Sequence, residues 1–310
     1  MTTARHARIL AASVALGLGA LLGASGTVPA VASGGTAAVR TTSAASSGSA
    51  AGASSPQSAG ATTGGAATDG ASTKAARKAA KKAAKKKAER AARKKAKKKL
   101  KRLRAKAAAA PRLSEGDTGK SVRRLKKLLL KTGYWIPSVS STYTPTTAQA
   151  VLALQKSLGF TRDSKVGKEE WLALFQGRLP KASKAKGRVF EVDLSRQIMM
   201  RTWNGRVKYV FNVSTGSNKI YYQDGVAHRA VTPTGTFRIM RKIDGMRHAP
   251  LGTLYRPQYF RSDGYAIHGS PSIPAYPASH GCVRVSNSAI DWLWTKAGKL
   301  DMGEKVVIHQ

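Results

Sequence analysis

Two apolar runs that alternate with a period of two, Ile198–Trp203 and residues 207–213, are separated by the pair Asn204-Gly205. An Asn-Gly pair between alternating runs is the strongest short-range hairpin signal, because both turn positions need positive φ. The pair commits the C-terminal part of the chain to antiparallel pairing. Residues 189–194 alternate in the same way, and residues 236–243, 265–268 and 305–309 read as further strands. The one clear helix here is residues 289–297, with Ser286 or Asn287 as its cap. Residues 187–310 are therefore expected to form a mainly β domain with one helix packed on it.

Upstream, the apolar period becomes helical. Val122, Leu125, Leu128 and Leu129 recur at helical spacing, after Ser114 and Asp117 as candidate caps and before Gly133 as a stop. Thr146 or Thr147 is expected to cap a second helix carrying Ala150, Val151, Leu154 and Leu158, which ends near Gly159. A third, short helix carries Trp171, Leu172 and Leu174. Residues 111–180 thus read as a three-helix domain of about the smallest size that folds alone. A Lys/Ala/Ser/Gly linker at 181–187 joins it to the β domain.

Charge is concentrated before these domains. The chain has 54 Lys+Arg against 15 Asp+Glu, a formal net charge of +39. Residues 74–110 are a Lys/Ala-rich tract closed by Pro111, in which good helix formers are opposed by like charges at i, i+4. The expectation is a marginal helix that firms up against a polyanion. Residues 33–73, rich in Ser, Ala, Gly and Thr, bury too little apolar surface to offset their ordering entropy and read as a flexible linker. Residues 1–32 read as a signal peptide. Arg5 and Arg8 precede an uncharged apolar run at 9–24, and Ala30-Val31-Ala32 fits a cleavage site. That run is shorter than the roughly 20 residues of a membrane span; an uncleaved anchor is the alternative. Export disfavours nucleic acid as a partner, as does the absence of interleaved aromatics for stacking. Anionic wall polymers or membrane phosphates are the expected partners of residues 74–106.

Export also sharpens the meaning of the chain's one cysteine, Cys282. Outside the cell cysteines usually pair, so a lone one forms an intermolecular bond, is reactive, or is buried and inert. Cys282 lies in "ASHGCVRV", two residues after His280 and two before Arg284. A cysteine nucleophile needs a base, backbone donors for an oxyanion, and partial exposure. A neighbouring imidazolium can lower the thiol pKa by several units. His268 and His280 are the candidate bases. His268 ends a predicted strand, from which it can face Cys282 across the site, and is preferred. The loop Ser279-His280-Gly281-Cys282 can aim the amides of Gly281 and Cys282 at one oxygen. Ser279 either bonds locally or orients substrate, and Arg284 either holds a carboxylate or braces the loop. The aromatic stretch 255–265 either covers the cleft or packs as ordinary strand and loop. His228, His248, His268, His280 and Cys282 show no metal-ligand spacing beyond the loose His280-x-Cys282. No cofactor or metal is expected.

Two stretches resemble known families. "EGDTGKSVRRLKKLLLKTGY", "YTPTTAQAVLALQKSLGF" and "VGKEEWLAL" resemble the peptidoglycan-binding domain family, although Leu154 stands where an aromatic is frequent. "TPTGTFRI", "YAIHGS" and "YPASHGCVRVSN" resemble the catalytic domain of the L,D-transpeptidase family, over residues 187–309. The second resemblance implies a β-sandwich or barrel with one helix. It implies that Cys282 attacks a tetrapeptide stem of peptidoglycan, releases the terminal D-alanine and forms a thioester, which an amine of a second stem resolves. It makes His268 the base, oriented by the Gly269 backbone carbonyl, with Ser279, His280, Gly281 and Arg284 at the substrate or oxyanion. Peptidoglycan stem peptides are the implied partners, carbapenem-type β-lactams the implied inhibitors, and a secreted, wall-associated location the implied setting. Two alternatives remain open: an L,D-carboxypeptidase or thiol hydrolase on the same scaffold, and a non-catalytic wall-binding protein.

Overall fold

The computed structural model describes residues 69–310, with side chains from residue 73. The signal peptide read at 1–32 and nearly all of the 33–73 linker lie outside the described residues. The basic tract is a continuous helix of 40 residues, α1 (Asp69–Ala108). Its C-terminal end explains why it is more than marginal. Ala107 is buried, Leu100 and Leu103 are half-buried, and the Lys106 ammonium lies 4.8 Å from the Phe175 ring centroid. Docking supplies the costly nucleus, and Ala, Lys and Arg then propagate it.

Three helices follow as expected: α2 (Lys120–Thr132), α3 (Pro145–Leu158) and α4 (Lys168–Gln176). Their caps differ from the sequence reading. The Asp117 carboxylate accepts from the Ser114 amide at 2.7 Å, closing a turn ahead of α2, whose N-cap is Gly119. Thr144, not Thr146 or Thr147, caps α3; Pro145 occupies the first turn, and Thr147 Oγ1 reciprocates by accepting from the Thr144 amide. Gly133 and Gly159 end α2 and α3 in the left-handed conformation, as their positions predict.

The β region forms two main sheets. β1 (Arg188–Asp193), β2 (Ile198–Trp203) and β3 (Arg206–Asn212) pair antiparallel, and Asn204 and Gly205 take the positive φ values of 48° and 70° that the turn requires. A small hairpin follows, β4 (Ile220–Gln223) and β5 (Val226–Arg229). The strand expected at 236–243 is two strands, β6 (Gly235–Arg238) and β7 (Arg241–Lys242), in different sheets. The chain turns the corner at buried Ile239, a way for one run to serve both layers. β8 (Met246–Ala249), β9 (Gly252–Tyr259), β10 (Ala266–Ser270) and β11 (Val283–Ser286) complete the second sheet, ordered β11-β10-β9-β7 with β8 beside β9. Helix α5 (Asn287–Trp294) is capped by Ser286 Oγ, which accepts from the Ala289 amide. Finally β12 (Lys305–His309) joins β1 in parallel and gives the first sheet its order β3-β2-β1-β12-β6.

Alternation on β2 and β3 serves two cores. Ile198, Met200 and Val210 pack with the helices, around Leu125, Leu129, Val151 and Leu154. Met199 and Phe211 face the other way and join Ile267, Val283 and Val285 of the second sheet and Ile290 and Leu293 of α5. The helical segment therefore covers the outer face of the first sheet. The chain leaving α2 extends that sheet directly: Val210 N–H donates to Gly133 O at 2.8 Å, and Trp135 N–H to Val210 O at 3.1 Å.

Candidate active site

The site is a product of strand register. β10 and β11 run parallel, with Ile267 opposite Val283, His268 opposite Arg284 and Gly269 opposite Val285. Side chains alternate along a strand. Ile267, Val283 and Val285 are buried in the core between the sheets. The other face belongs to His268 and Arg284, with Cys282 one step before β11. All three line one cleft, together with Ser279, His280, Tyr221 and Tyr265.

His268 is buried, and its Nδ1 lies 2.9 Å from the Gly269 carbonyl. A carbonyl only accepts, so Nδ1 carries the hydrogen and Nε2 keeps its lone pair. Burial pushes the imidazole pKa down to about 4; the Gly269 carbonyl opposes that shift and the Arg284 charge adds to it. The ring is neutral at pH 7. Gly269 is compulsory for packing: a Cβ there would lie 2.7 Å from Ile290 Cγ2 and 2.8 Å from Asn287 Oδ1.

Cys282 is half-buried, and its thiol donates to the Gly264 carbonyl at 3.7 Å, not to His268. Burial raises the thiol pKa, while the Ala266 amide and Arg284 pull it back. The resting pair is a neutral thiol and a neutral imidazole. The imidazolium that the sequence reading offered as a thiolate stabiliser is absent at rest, because His268 is too well buried to hold it.

The loop before Cys282 is held from several sides. Ser279 is buried; its Oγ donates to the Cys282 carbonyl at 2.6 Å and accepts from the Gly281 amide at 3.0 Å. The Gly281 carbonyl accepts from Thr232 Oγ1 at 2.6 Å, and that oxygen accepts from the Gly216 amide at 2.8 Å. The Thr215 carbonyl accepts from the amides of Ala278 and Ser279. One expectation changes as a result, and one of two open alternatives is observed. Gly281's amide is spent on Ser279 instead of facing the cleft, so of the two expected donors Cys282's own amide remains. Ser279 bonds locally. Gly281 has φ 141°, and a Cβ would sit 2.5 Å from Tyr265 Cε1 and 2.8 Å from the Val231 carbonyl. Gly281→Ala is expected to destabilise the protein by about 1–3 kcal/mol and to displace the thiol; urea unfolding and the rate of iodoacetamide alkylation of Cys282 check this.

The cleft's walls differ from expectation. Residues 255–265 are largely strand β9 and its exit. Tyr255 and Phe260 pack against the main core, and only Tyr259 and Tyr265 of that aromatic set line the cleft. The cover comes instead from the β4–β5 hairpin and the β8–β9 turn. Tyr221 meets the His280 ring edge-on at 4.7 Å and stacks on His228 at 5.5 Å. Ala249, Pro250 and Leu251 also line the cleft. The sequence held a signal for the hairpin, Asp224-Gly225, whose φ values are 50° and 78°.

Electrostatics favour an anion. Among the described residues Arg284 makes no ion pair and its guanidinium has no hydrogen-bond partner. Arg241 and Arg247 also line the cleft, and its one acidic side chain, Asp263, is paired with Arg261. Among the described residues no group of three His, Cys, Asp or Glu side chains is placed to hold a metal.

Residues 187–308 match the L,D-transpeptidase catalytic domain family, and residues 118–174 match a peptidoglycan binding domain family. A crystal structure of an L,D-transpeptidase from Xylanimonas cellulosilytica is 42% identical, with a TM-score of 0.62, over 65% of this chain and 98% of that one. An L,D-transpeptidase from Stackebrandtia nassauensis is 22% identical, with a TM-score of 0.36, over 64% of this chain and 95% of that one. L,D-transpeptidase 3 from Mycobacterium tuberculosis, in complex with a faropenem-derived adduct, is 15% identical, with a TM-score of 0.31, over 42% of this chain and 61% of that one. None of the curated proteins compared matches the chain.

Proposed function

The chain belongs to the L,D-transpeptidase family, and on that premise we propose that it cross-links or remodels peptidoglycan through a thioester on Cys282. The observation that carries this reading is the β10–β11 register, which sets His268 and Arg284 opposite each other with Cys282 on the same face. Cys282 Sγ attacks the carbonyl of the L-configured centre in a tetrapeptide stem, and His268 Nε2 takes the thiol proton. The Cys282 amide donates to the oxyanion. Collapse breaks the amide bond, and the imidazolium returns its proton to the departing amine of D-alanine. An amine of a second stem then attacks the thioester; His268 accepts its proton and gives it back to the leaving thiolate. The Gly269 carbonyl orients His268 in the role that an acid has in a triad. Its neutral oxygen suits a base that is neutral at rest. His280, held against Tyr221, shapes the cleft wall beside the thiol.

Arg284 is assigned to a stem carboxylate. Arg284→Gln is expected to lower kcat/KM by about 10- to 100-fold, the cost of a lost hydrogen bond to a charged group, mostly through KM. A brace for the loop would show instead as lost stability with KM unchanged.

The surrounding segments fit work in the wall. α1 exposes the charge of residues 74–106 to solvent, and its partner is an anionic wall polymer, held by salt-sensitive attraction. The site is exported by the signal at 1–32. Among the described residues no helix is long and apolar enough to cross a membrane. Carbapenem-type β-lactams acylate Cys282 by ring opening, which adds the whole reagent and releases nothing. Intact mass spectrometry after exposure tests the reading: the protein gains one full reagent mass, and Cys282→Ala does not. An unchanged wild-type mass, with the thiol shown to be reduced, overturns it.

A further inference from the structure

The chain leading into the nucleophile loop has a shortage of its own donors. Residues 271–277 contain Pro271, Pro274 and Pro277, none of which has an amide hydrogen. Four successive carbonyls in this segment are nevertheless bonded, and every donor is a side chain. Ile273 O accepts from Gln149 Nε2 at 3.3 Å and from Asn212 Nδ2 at 3.4 Å. Pro274 O accepts from Lys156 Nζ at 3.3 Å, and Ala275 O from Arg162 at 3.3 Å. Tyr276 O accepts from Ser214 Oγ at 2.8 Å. Three of the five donors, Gln149, Lys156 and Arg162, come from α3 and the turn after it, in the helical segment.

Lys156 is the centre of this arrangement. It is 1% exposed, yet no carboxylate pairs with it among the described residues. Its Nζ also donates to the Val213 carbonyl at 2.9 Å, beside Ser214 and Thr215, whose carbonyls bind Arg284 and the Ala278-Ser279 amides. One ammonium thus ties α3 to both strands of chain that frame the nucleophile. Burying an unpaired cation is costly, and an apolar side chain of similar length would be cheaper. Burial, with Arg162 adding, pushes its pKa down to about 7. An ammonium buried at such a cost and bonded to two separate backbone carbonyls fixes their relative position.

We propose that α3 is a positioning element for the reaction at Cys282, with Lys156 as its central positioning residue. It fixes residues 273–276, and through them the Ser279–Cys282 loop that aims thiol and amide at the acyl carbon. The helical segment is then part of the catalytic apparatus and not only a wall reader. The inference rests on the thioester reading above.

The test is the first-order rate constant of Cys282 acylation by excess carbapenem, followed by intact mass on the full chain. Dividing the constant by the folded fraction measured in parallel by urea unfolding removes any loss due to stability alone, so a merely stabilising role leaves the corrected value unmoved. Lys156→Met is expected to lower it by about 10- to 100-fold, the scale of a displacement of about 1 Å. Iodoacetamide, which needs no oxyanion alignment, should alkylate the same variant with a much smaller loss of rate than the carbapenem shows. Gln149→Ala combined with Arg162→Ala should lower the acylation constant less, and serves where Lys156→Met does not fold. Wild-type constants in these variants overturn the positioning role. No adduct on the wild type overturns the thioester reading, and this inference with it.

Discussion

Cys282→Ala yields a folded protein that forms neither thioester nor cross-linked product. Removing one sulfur from the small cluster with Leu254, Tyr259 and Ala266 costs on the order of 1 kcal/mol of stability. Removing the one thiol in the chain deletes the covalent step itself. Losing the nucleophile of a catalytic unit costs about 10⁴- to 10⁶-fold in turnover, so product should fall below detection. The check is turnover alongside urea unfolding, with the wild type beside it. A folded Cys282→Ala protein that keeps a tenth of wild-type turnover is incompatible with cysteine catalysis.

His268→Gln has the next largest effect. Glutamine can still reach the Gly269 carbonyl but offers no basic nitrogen, and general-base losses run to about 10²- to 10⁴-fold. The pH behaviour separates His268 from a generic structural histidine. Its folded pKa is pushed down to about 4 from 6.5, so the unfolded chain binds more protons between those values. Stability from this group is full above pH 6.5 and is lost as pH falls to about 4. The amount is about 3 kcal/mol, from 1.36 kcal/mol per pKa unit. Unfolding in urea at pH 7 and pH 4.5 should show a larger acid loss in the wild type than in His268→Gln. The same burial predicts a neutral resting thiol. Iodoacetamide should alkylate wild-type Cys282 slowly at pH 7, and faster as pH rises above the usual thiol range. A high plateau extending below pH 7 would mean a preformed thiolate–imidazolium pair.

The parts of the fold that were legible in the sequence are the ones governed by local rules. Asn204-Gly205 fixed its hairpin because few residues tolerate two positive φ values in succession. Gly133 and Gly159 ended their helices for the same reason. The Cys282, His268 and Gly269 grouping was readable as a motif; the structure brings Cys282 and His268 onto one face and sets the Gly269 carbonyl against the His268 ring. What escaped detection depends on tertiary pairing. The β10–β11 register joins strands that a loop separates, and parallel pairing leaves no turn signature. β9 was hidden by Arg256-Pro257, where Arg256 has φ 48° and breaks the alternation. Gln149 and Lys156 lie seven residues apart and so share one face of α3, but polarity there reads as solvent exposure until the sheet is placed against it. The β4–β5 hairpin is a different case, since Asp224-Gly225 is a local turn signal of the same kind.

The measurement that bears most directly on the central claim is mass spectrometry of the purified protein, thiol reduced, incubated with a disaccharide-tetrapeptide. The account predicts a cross-linked dimer that has lost one D-alanine, with a transient acyl adduct on Cys282. A tripeptide monomer alone would mean that water resolves the thioester and the enzyme is a carboxypeptidase. An unchanged substrate, with Cys282 unmodified throughout, would contradict the account.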